Sequence, residues 1–174
     1  MAKALLLLSF LFLANAATAS KFAPVKSVFH LTKNTNHNQV HYGVDVDSDC
    51  RPDDSKPLTP YWLMRERGDD ITEKLRFWEQ PGYGVRQPEA VNETENGHRF
   101  EFVIRGVPEK QLEMTVRAEN GQCVARAITD IDGIPAVLNR IDIEVSGWAN
   151  VHRVEIFGTA IDDGRLVSEI THQD

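Results

Sequence analysis

The stretch KNTNHNQVHYGVDVDSDC, residues 33–50, concentrates amide, imidazole and carboxylate side chains that can do chemistry. Asp45, Asp47 and Asp49 stand two residues apart, as in the first half of an EF-hand loop, where carboxylate oxygens bind calcium. The EF-hand pattern then fails, because a cysteine replaces the required glycine and a lysine replaces the bidentate glutamate. The three aspartates therefore remain candidates for a looser, weak calcium site, and the sequence indicates no other cofactor.

Amides at the start of the same stretch form a second candidate site. If residues 39–46 form a strand with its apolar row packed inward, these amides lie at the mouth of a hairpin. Asparagine tolerates left-handed backbone and bonds its own backbone, so a purely structural turn explains them as well. Binding groups usually lie on loops held by a rigid scaffold. We therefore predict a ligand site made of the amide turn and residues of neighbouring strands: Lys33, Asn34, Asn36, Asn38, Tyr42, Tyr61, Trp62 and Arg140.

Tyr61 and Trp62 are adjacent, so on a strand their rings face opposite sides. We expect one ring in the core and the other on a surface or in a cleft, where it can stack on a sugar or a peptide. Packing of both rings in the core or at its rim is the alternative. Either arrangement requires the segment around them to be a strand.

The sequence contains no established catalytic pattern. His30 and His41 belong to no metal-binding H-x-H or H-E-x-x-H spacing, and no C-x-x-C or G-x-S-x-G motif is present. Glycoside hydrolysis needs two carboxylates that lie close together in the folded protein, wherever they stand in the sequence. With 26 acidic residues in the chain, the sequence does not indicate such a pair. An enzyme site would have to be assembled from separate strands, and no catalytic residue is assigned.

The two cysteines, Cys50 and Cys123, are candidates for a disulfide. A bridge between them would close a long loop, and the chain-entropy model gives such a bridge about 4 kcal/mol of stability. The alternative is two separate thiols, with Cys123 as a small core residue and Cys50 in a polar turn. Whether the two cysteines pair depends on the distance between them in the folded protein, which the sequence does not give.

The N-terminal segment is typical of a secretory signal peptide. Lys3 precedes the uncharged apolar run ALLLLSFLFLANA, and A-x-A patterns end at Ala16 and at Ala19. We predict residues 1–19 as the signal peptide and residues 20–174 as a single β-rich domain, in the periplasm or secreted. No transmembrane segment remains after cleavage, since a span needs about 20 apolar residues. A short buried N-terminal helix is the alternative.

The charge balance limits the class of partner. The formal net charge is −7, and lysine and arginine are scattered with no basic stripe. Nucleic acid or an anionic membrane surface would require a basic patch. We therefore expect no nucleic-acid partner, and an envelope glycan, peptide or protein remains open.

Alternation of apolar and polar residues predicts strands through the C-terminal half. Phe100, Phe102 and Ile104 face one side of a strand, and similar segments follow, separated by Asn-Gly or Asp-Gly turns. The pattern predicts an all-β fold, a mostly antiparallel sandwich or barrel-like meander, with one short helix. The last three strands are expected to form a meander, and residues 92–98 are predicted as a loop.

The short helix is predicted over residues 70–79. Asp70 can cap it, and Glu73 follows at the spacing of a capping box. One face of such a helix would be apolar, with Ile71, Leu75 and Trp78. A Pro-Gly pair would end it.

Five short motifs follow one another over about residues 28–170: FHLTKNTNHNQVHYGVDVD, PLTPYWLMRE, YGV, PAVLNRIDIEV and VEIFG. In these motifs the chain resembles the secreted bacterial proteins that share domain of unknown function 4833. The resemblance implies an extracytoplasmic β-protein and transfers no activity. A non-enzymatic binding or envelope-accessory protein is the first expectation. The alternatives are a small extracytoplasmic hydrolase with a site assembled from separate strands, and a calcium-stabilised structural module.

Overall fold

Twelve strands and one short helix form the part of the chain that the computed structural model describes, residues 23–68, 71–86, 90–146 and 150–172. The strands are β1 (Ala23–Lys33), β2 (Asn36–Val46), β3 (Leu58–Leu63), β4 (Thr72–Lys74), β5 (Val85–Arg86), β6 (Asn92–Thr94), β7 (Gly97–Ile104), β8 (Gln111–Glu119), β9 (Gln122–Ile131), β10 (Ile134–Ser146), β11 (Asn150–Ala160) and β12 (Leu166–His172). Helix α1 (Gln80–Tyr83) lies between β4 and β5. The predicted all-β fold with one short helix is confirmed, while the predicted signal peptide lies outside the described residues.

The strands belong to one curled sheet with the order β4-β3-β2-β1-β10-β9-β8-β7-β5. All pairs are antiparallel except β1 and β10, which run parallel over 30–33 and 140–143. The first half of β10 pairs with β9 and the second half with β1, so the sheet divides into two wings. We call β4 to β1 the first wing and β9 to β5 the second wing. Strand β11 pairs with the other edge of β10, and β12 pairs with β11, which confirms the predicted meander.

The core lies between the two wings. Phe29 stacks on Tyr42 within the first wing at 4.5 Å between ring centroids, and it meets Phe102 of the second wing at 6.1 Å. Alternate residues of both wings are buried, as the period-two pattern predicts. They include Leu31, Val40, Val44, Val46 and Leu58 on one side, and Phe100, Ile104, Leu112, Met114 and Val116 on the other. The intervening residues of each strand therefore face outward.

Two of the predicted turns are tight hairpin turns. Asn120 and Gly121 have φ angles of 50° and 76°, and Asp132 and Gly133 have φ angles of 52° and 77°. Positive φ at both central residues is the geometry whose twist matches paired antiparallel strands, and Asn-Gly and Asp-Gly adopt it most readily. These turns join β8 to β9 and β9 to β10, which sets the register of the three strands.

Residues 70–79 do not form the predicted helix, and the helix lies later in the chain. Thr72–Lys74 pair with Tyr61–Leu63 as β4, and α1 contains Pro81 in its first turn. Asp70, the predicted cap, lies outside the described residues. A helix of about ten residues is marginal without packing, whereas pairing with the edge of β3 supplies backbone hydrogen bonds at once. Proline also fits the first turn of a helix, so it does not mark the end.

The loop predicted over residues 92–98 is instead a hairpin. Strand β6 pairs with the start of β7, with Thr94 opposite Gly97 and Asn92 opposite Arg99. Gly97 has a φ of 135°, a conformation that residues with a side chain rarely adopt. Glu95 and Asn96 therefore form the turn, and Gly97 begins β7 directly after it.

Cys50 and Cys123 form a disulfide, with 5.2 Å between their Cα atoms. The pairing that the sequence left open is thus confirmed. Cys50 follows β2 of the first wing, and Cys123 lies in β9 of the second wing, so the bond links the wings. Among the residues that the structure describes, no helix is long and apolar enough to cross a membrane.

Candidate functional site

A row of five side chains crosses five neighbouring strands on the outer face of the sheet, opposite the core. We call it the cross-strand row. Each member is the register partner of the next: Tyr61 on β3, His41 on β2, His30 on β1, Arg140 on β10 and Phe157 on β11. Because neighbouring strands lie about 4.8 Å apart, the row is roughly 19 Å long.

The flat groups of the row form two stacks, one of Tyr61, His41 and His30 and one of Arg140 and Phe157. The rings of His30 and His41 are 5.2 Å apart between centroids at an interplanar angle of 18°, and those of His41 and Tyr61 are 5.8 Å apart at 26°. The guanidinium of Arg140 lies 3.8 Å from the centroid of the Phe157 ring, a cation–π contact. Since the centroids of the three stacked rings are spaced like strands, these rings stand upright on the sheet with their edges outward.

His41 has a partner at each ring nitrogen. Its Nδ1 lies 2.6 Å from Ser27 Oγ, and its Nε2 lies 3.0 Å from Gln39 Oε1. Burial lowers the pKa of His41 to about 4, assisted by the charge that His30 carries when it is protonated and by the positive charge of Arg65. The imidazole is therefore neutral at pH 7 and carries one N–H. With the Gln39 carbonyl at Nε2, that N–H donates to Gln39 and Nδ1 accepts from the Ser27 hydroxyl.

His30, at the centre of the row, has no hydrogen bond from its ring to any residue that the structure describes. Burial lowers the pKa of His30, the carboxylate of Asp142 opposes this shift, and the guanidiniums of Arg140 and Arg65 add to it. A neutral imidazole has one donor nitrogen and one acceptor nitrogen. His30 can therefore both donate to a ligand and accept from it.

Asp142 extends the polar surface beside the row. Its Oδ1 accepts a hydrogen bond from Thr32 Oγ1 at 2.5 Å, and its Oδ2 accepts one from Arg140 Nε at 3.1 Å. The charges that act on His30 are thus two guanidiniums, from Arg65 and Arg140, and one carboxylate. This local positive excess, in a chain of net charge −7, favours a ligand rich in oxygen acceptors.

Acidification is expected to destabilise the protein through His41. Its pKa in the folded state lies near 4, below the ordinary value of 6.5, so folding favours the neutral form. This contribution is complete above pH 6.5 and is lost as the pH falls through about 4, because the unfolded chain binds the proton first. Urea unfolding near pH 7 and near pH 4 should show a larger loss in the wild type than in His41→Gln. Equal losses in the two proteins would contradict the assignment.

The amides of the predicted ligand turn hold the hairpin in place. Asn34 Oδ1 accepts from the Val145 backbone N–H at 3.0 Å, and Asn36 Oδ1 accepts from the Asn38 backbone N–H at 3.1 Å. Asn38 is buried, and its side chain donates to the Glu66 carboxylate and accepts from the Glu66 backbone. These contacts explain the three amides without a ligand, so the turn's role in binding stays a prediction.

Three other residues of the predicted ligand set lie in the core or over it. Tyr42 is 0% exposed and its hydroxyl donates to the Tyr83 carbonyl at 2.9 Å, so its assignment as a ligand contact is corrected to a core residue. Trp62 is also buried, and its Nε1 donates to Glu79 Oε2 at 3.0 Å. Lys33 Nζ lies 5.4 Å from the centroid of the Trp62 ring.

Tyr61 and Arg140 are the members of the predicted ligand set that the structure brings together, in the cross-strand row. The expectation that Tyr61 and Trp62 face opposite sides of a strand is confirmed, with Trp62 inward and Tyr61 outward. Lys33 and Asn34 contribute instead to a separate pocket of about 320 Å³ between the ends of β1, β10 and β11. The predicted set is therefore divided among three places.

Two of the aspartates predicted as calcium ligands, Asp45 and Asp47, accept hydrogen bonds from other residues of the protein. Asp47 Oδ1 accepts from the backbone N–H groups of Asp49 and Arg51, both at 2.9 Å, and the bond from Arg51 chiefly lowers the pKa of that carboxyl. Asp45 Oδ2 accepts from Thr59 Oγ1 at 3.1 Å. Over the described ranges, no group of three or more His, Cys, Asp or Glu side chains is placed to hold a metal ion. The hydrogen bonds explain the positions of Asp45 and Asp47.

Sequence reasoning missed Ser27 and Gln39 and did not recognise the row as a unit. Alternation correctly places His30 and His41 on the outward faces of their strands. The missing information was the parallel pairing of β1 with β10, which joins Thr32 to Asp142 across 110 positions of the chain. Side chains with planar groups at outward positions of successive strands were the sequence feature that could have indicated the row.

Comparison with protein-family models gives a match over most of the chain. The model of a protein family described as Domain of unknown function (DUF4833) matches residues 29–170, from the second half of β1 to within β12. This confirms the resemblance carried by the five short motifs. No curated protein and no solved structure matches the chain.

Proposed function

Because the chain belongs to the family defined by domain of unknown function 4833, whose description assigns no activity, we propose its function from the site itself. The protein is an exported binding domain, and its cross-strand row binds an extended, polyhydroxylated ligand, a glycan of the cell envelope. This is the non-enzymatic function expected from the sequence, with the binding surface moved from the amide turn to the row.

The observation that carries the proposal is His30. Its half-buried ring lies between His41 and Arg140, and no described residue hydrogen-bonds to it. Among the described residues no buried side-chain nitrogen or oxygen lacks a partner, so the unpaired ring nitrogens of His30 reach solvent and an outside group can contact them. A sugar hydroxyl both donates and accepts, and so it matches the two nitrogens of a neutral imidazole.

The dimensions and chemistry of the row fit an extended ligand. Its length of roughly 19 Å exceeds what a single small molecule would cover. Along it, the Tyr61 hydroxyl, the His30 imidazole and the Arg140 guanidinium offer donors and acceptors next to the rings of His41 and Phe157. The excess of guanidinium over carboxylate around His30 further favours a glycan that carries carboxylates.

The disulfide supports the exported location. Bonds of this kind form and persist in oxidising compartments such as the periplasm or the outside of the cell. The bond between Cys50 and Cys123 is compatible with the signal peptide predicted from the sequence. A partner from the cell envelope follows from that location, while the negative net charge disfavours nucleic acid.

A thermal-shift experiment on the mature protein tests the proposal. The probes are soluble peptidoglycan chains, which carry carboxylates, and uncharged N-acetylglucosamine oligomers of matched length. At a concentration of about 100 times Kd, a ligand stabilises the folded state by about 2.7 kcal/mol. For a domain of this size, that corresponds to a rise in Tm of roughly 5–10 °C. The carboxylate-bearing chains should give the larger rise.

His30→Ala is expected to weaken binding of the peptidoglycan chains about tenfold, since it removes hydrogen bonds to the ligand. His172→Ala, at the exposed end of β12, is the matched control and should bind like the wild type. Isothermal titration calorimetry measures both. Equal affinity in His30→Ala and the control would refute the row as the binding surface. A Tm raised by calcium chloride instead, and not in Asp47→Asn, would favour the calcium-stabilised module.

A further inference from the structure

Ser27, His41 and Gln39 form a continuous hydrogen-bonded chain beside the cross-strand row. The hydroxyl of Ser27 lies 2.6 Å from His41 Nδ1, and the opposite nitrogen of that ring lies 3.0 Å from Gln39 Oε1. A hydroxyl, an imidazole and a group that orients the imidazole are the parts of a nucleophilic centre. The three residues come from two strands, with Ser27 on β1 and the other two on β2.

A β-bulge places Ser27 in this position. Val25 pairs with Val44 and Phe29 pairs with Tyr42, so the three residues between them on β1 stand opposite Gly43 alone. Bulges redirect side chains, and they are over-represented next to active sites. A Cβ at Gly43 would lie 3.2 Å from the Val25 carbonyl oxygen, so the absent side chain lets the bulged strand approach β2.

The surroundings of Ser27 also suit a reactive hydroxyl. Ser27 is only partly buried, so a substrate can reach its oxygen. Burial raises the pKa of the Tyr61 hydroxyl and the nearby Ser27 backbone opposes this shift, so an aromatic side chain of the cross-strand row lies next to Ser27. The Ser27 hydrogen has a second acceptor, the Phe29 carbonyl at 3.0 Å, but Nδ1 of His41 is closer.

We infer that Ser27 is a nucleophile for acyl transfer from carboxylic esters, with His41 as its general base and Gln39 as the positioning residue. This activity goes beyond glycan binding and does not depend on it. No G-x-S-x-G motif is needed, because such a centre is recognised by its geometry.

The reaction balances with the groups present. Ser27 Oγ attacks the carbonyl carbon of the ester, and the hydroxyl proton passes to His41 Nδ1. The tetrahedral oxyanion collapses, the bond to the alcohol oxygen breaks, and the leaving alkoxide takes the proton from Nδ1. Water then attacks the acyl-serine in the same way, releasing the carboxylic acid and restoring Ser27. Gln39 holds the tautomer of His41 that leaves Nδ1 free to accept.

A second serine–histidine pair in the same protein provides an internal comparison. Ser146 Oγ contacts His152 Nε2 at the far ends of β10 and β11. Both residues are exposed, and the other ring nitrogen of His152 has no partner among the described residues. The pair has a hydroxyl and an imidazole but no orienting group, so it should react no faster than an ordinary surface serine.

The experiment treats the mature, oxidised protein with a fluorophosphonate probe, which phosphonylates activated serines, and maps the modified residue by tandem mass spectrometry. The label is expected on Ser27 and not on Ser146 or Ser168. Labelling should be lost in Ser27→Ala, fall at least about tenfold in His41→Gln, and be unchanged in Ser146→Ala. Circular dichroism checks that each variant folds. The mapping of the label on the wild-type protein tests the inference even if a variant does not fold.

The pH dependence of labelling distinguishes this centre from a serine next to a histidine of ordinary pKa. The labelling rate should persist well below pH 6.5 and fall only as His41 becomes protonated, near its pKa of about 4. A label on another serine, no label at all, or labelling that His41→Gln leaves unchanged would overturn the inference. None of these outcomes bears on peptidoglycan binding, which His30→Ala tests separately.

Discussion

Replacing both Cys50 and Cys123 with alanine is expected to lower the free energy of unfolding by about 4 kcal/mol. The disulfide joins residues separated by 73 positions, so its loss releases a long loop in the unfolded chain. In the folded state it links the end of β2 to the start of β9, at a point where the two wings have no strand pairing with each other. In the oxidised unfolded chain, the disulfide therefore keeps the segments of the two wings close to each other.

Urea denaturation of the oxidised wild type, the reduced wild type and the double variant measures this effect. For a domain of this size, a loss of about 4 kcal/mol corresponds to a Tm lower by roughly 10 °C. The reduced wild type should approach the double variant, and the reductant should leave the double variant unchanged. A wild type whose denaturation midpoint does not respond to reduction would show that the disulfide contributes nothing to stability.

Much of the fold could be predicted from local pattern alone. Strands β7 and β8 follow from apolar residues at every second position, since one buried face imposes that period. The Asn-Gly and Asp-Gly turns around β9 follow from the φ angles that these pairs tolerate. In these segments local preference and tertiary packing agree, and so the sequence is sufficient.

Prediction failed where a distant partner decided the structure. The segment around Trp78 has apolar residues at helical spacing and a capping residue before them. Thr72–Lys74 nevertheless pair with the edge of β3 and join the sheet. As a result, Trp78 and Phe77 are 57% and 82% exposed, although Trp78 was expected on the apolar face of a helix. The pairing of β3 with β4 cannot be derived from either segment separately.

The site was predicted incompletely for the same reason. Alternation shows which face His30, His41 and Tyr61 occupy, yet not that three strand registers align them in one row. The bulge before Phe29 shifts the register of β1 against β2 and brings Ser27 to His41. A bulge has no firm sequence signature here, and the parallel partner β10 lies over a hundred residues away.

Removal of the Tyr42 side chain is expected to have an effect as large as that of the disulfide. Tyr42 is fully buried, stacks on Phe29 at 4.5 Å, and donates to the Tyr83 carbonyl, which connects β2 to α1. Burial raises the pKa of its hydroxyl, so the hydroxyl remains protonated and able to donate. Tyr42→Ala should lose about 3–5 kcal/mol through the cavity it leaves between the wings.

Tyr42→Phe separates the hydrogen bond from the packing of the ring. It keeps the stack on Phe29 but leaves the Tyr83 carbonyl without its donor, at a cost of about 1–3 kcal/mol. The matched control is Tyr61→Phe, whose half-exposed hydroxyl can be replaced by water, so its loss should be smaller. Urea denaturation gives the three values.

Because Tyr42 lies in the core, Tyr42→Phe should also keep the Tm rise with peptidoglycan chains. A stable Tyr42→Phe variant whose Tm no longer rises with those chains would show that Tyr42 belongs to the ligand site.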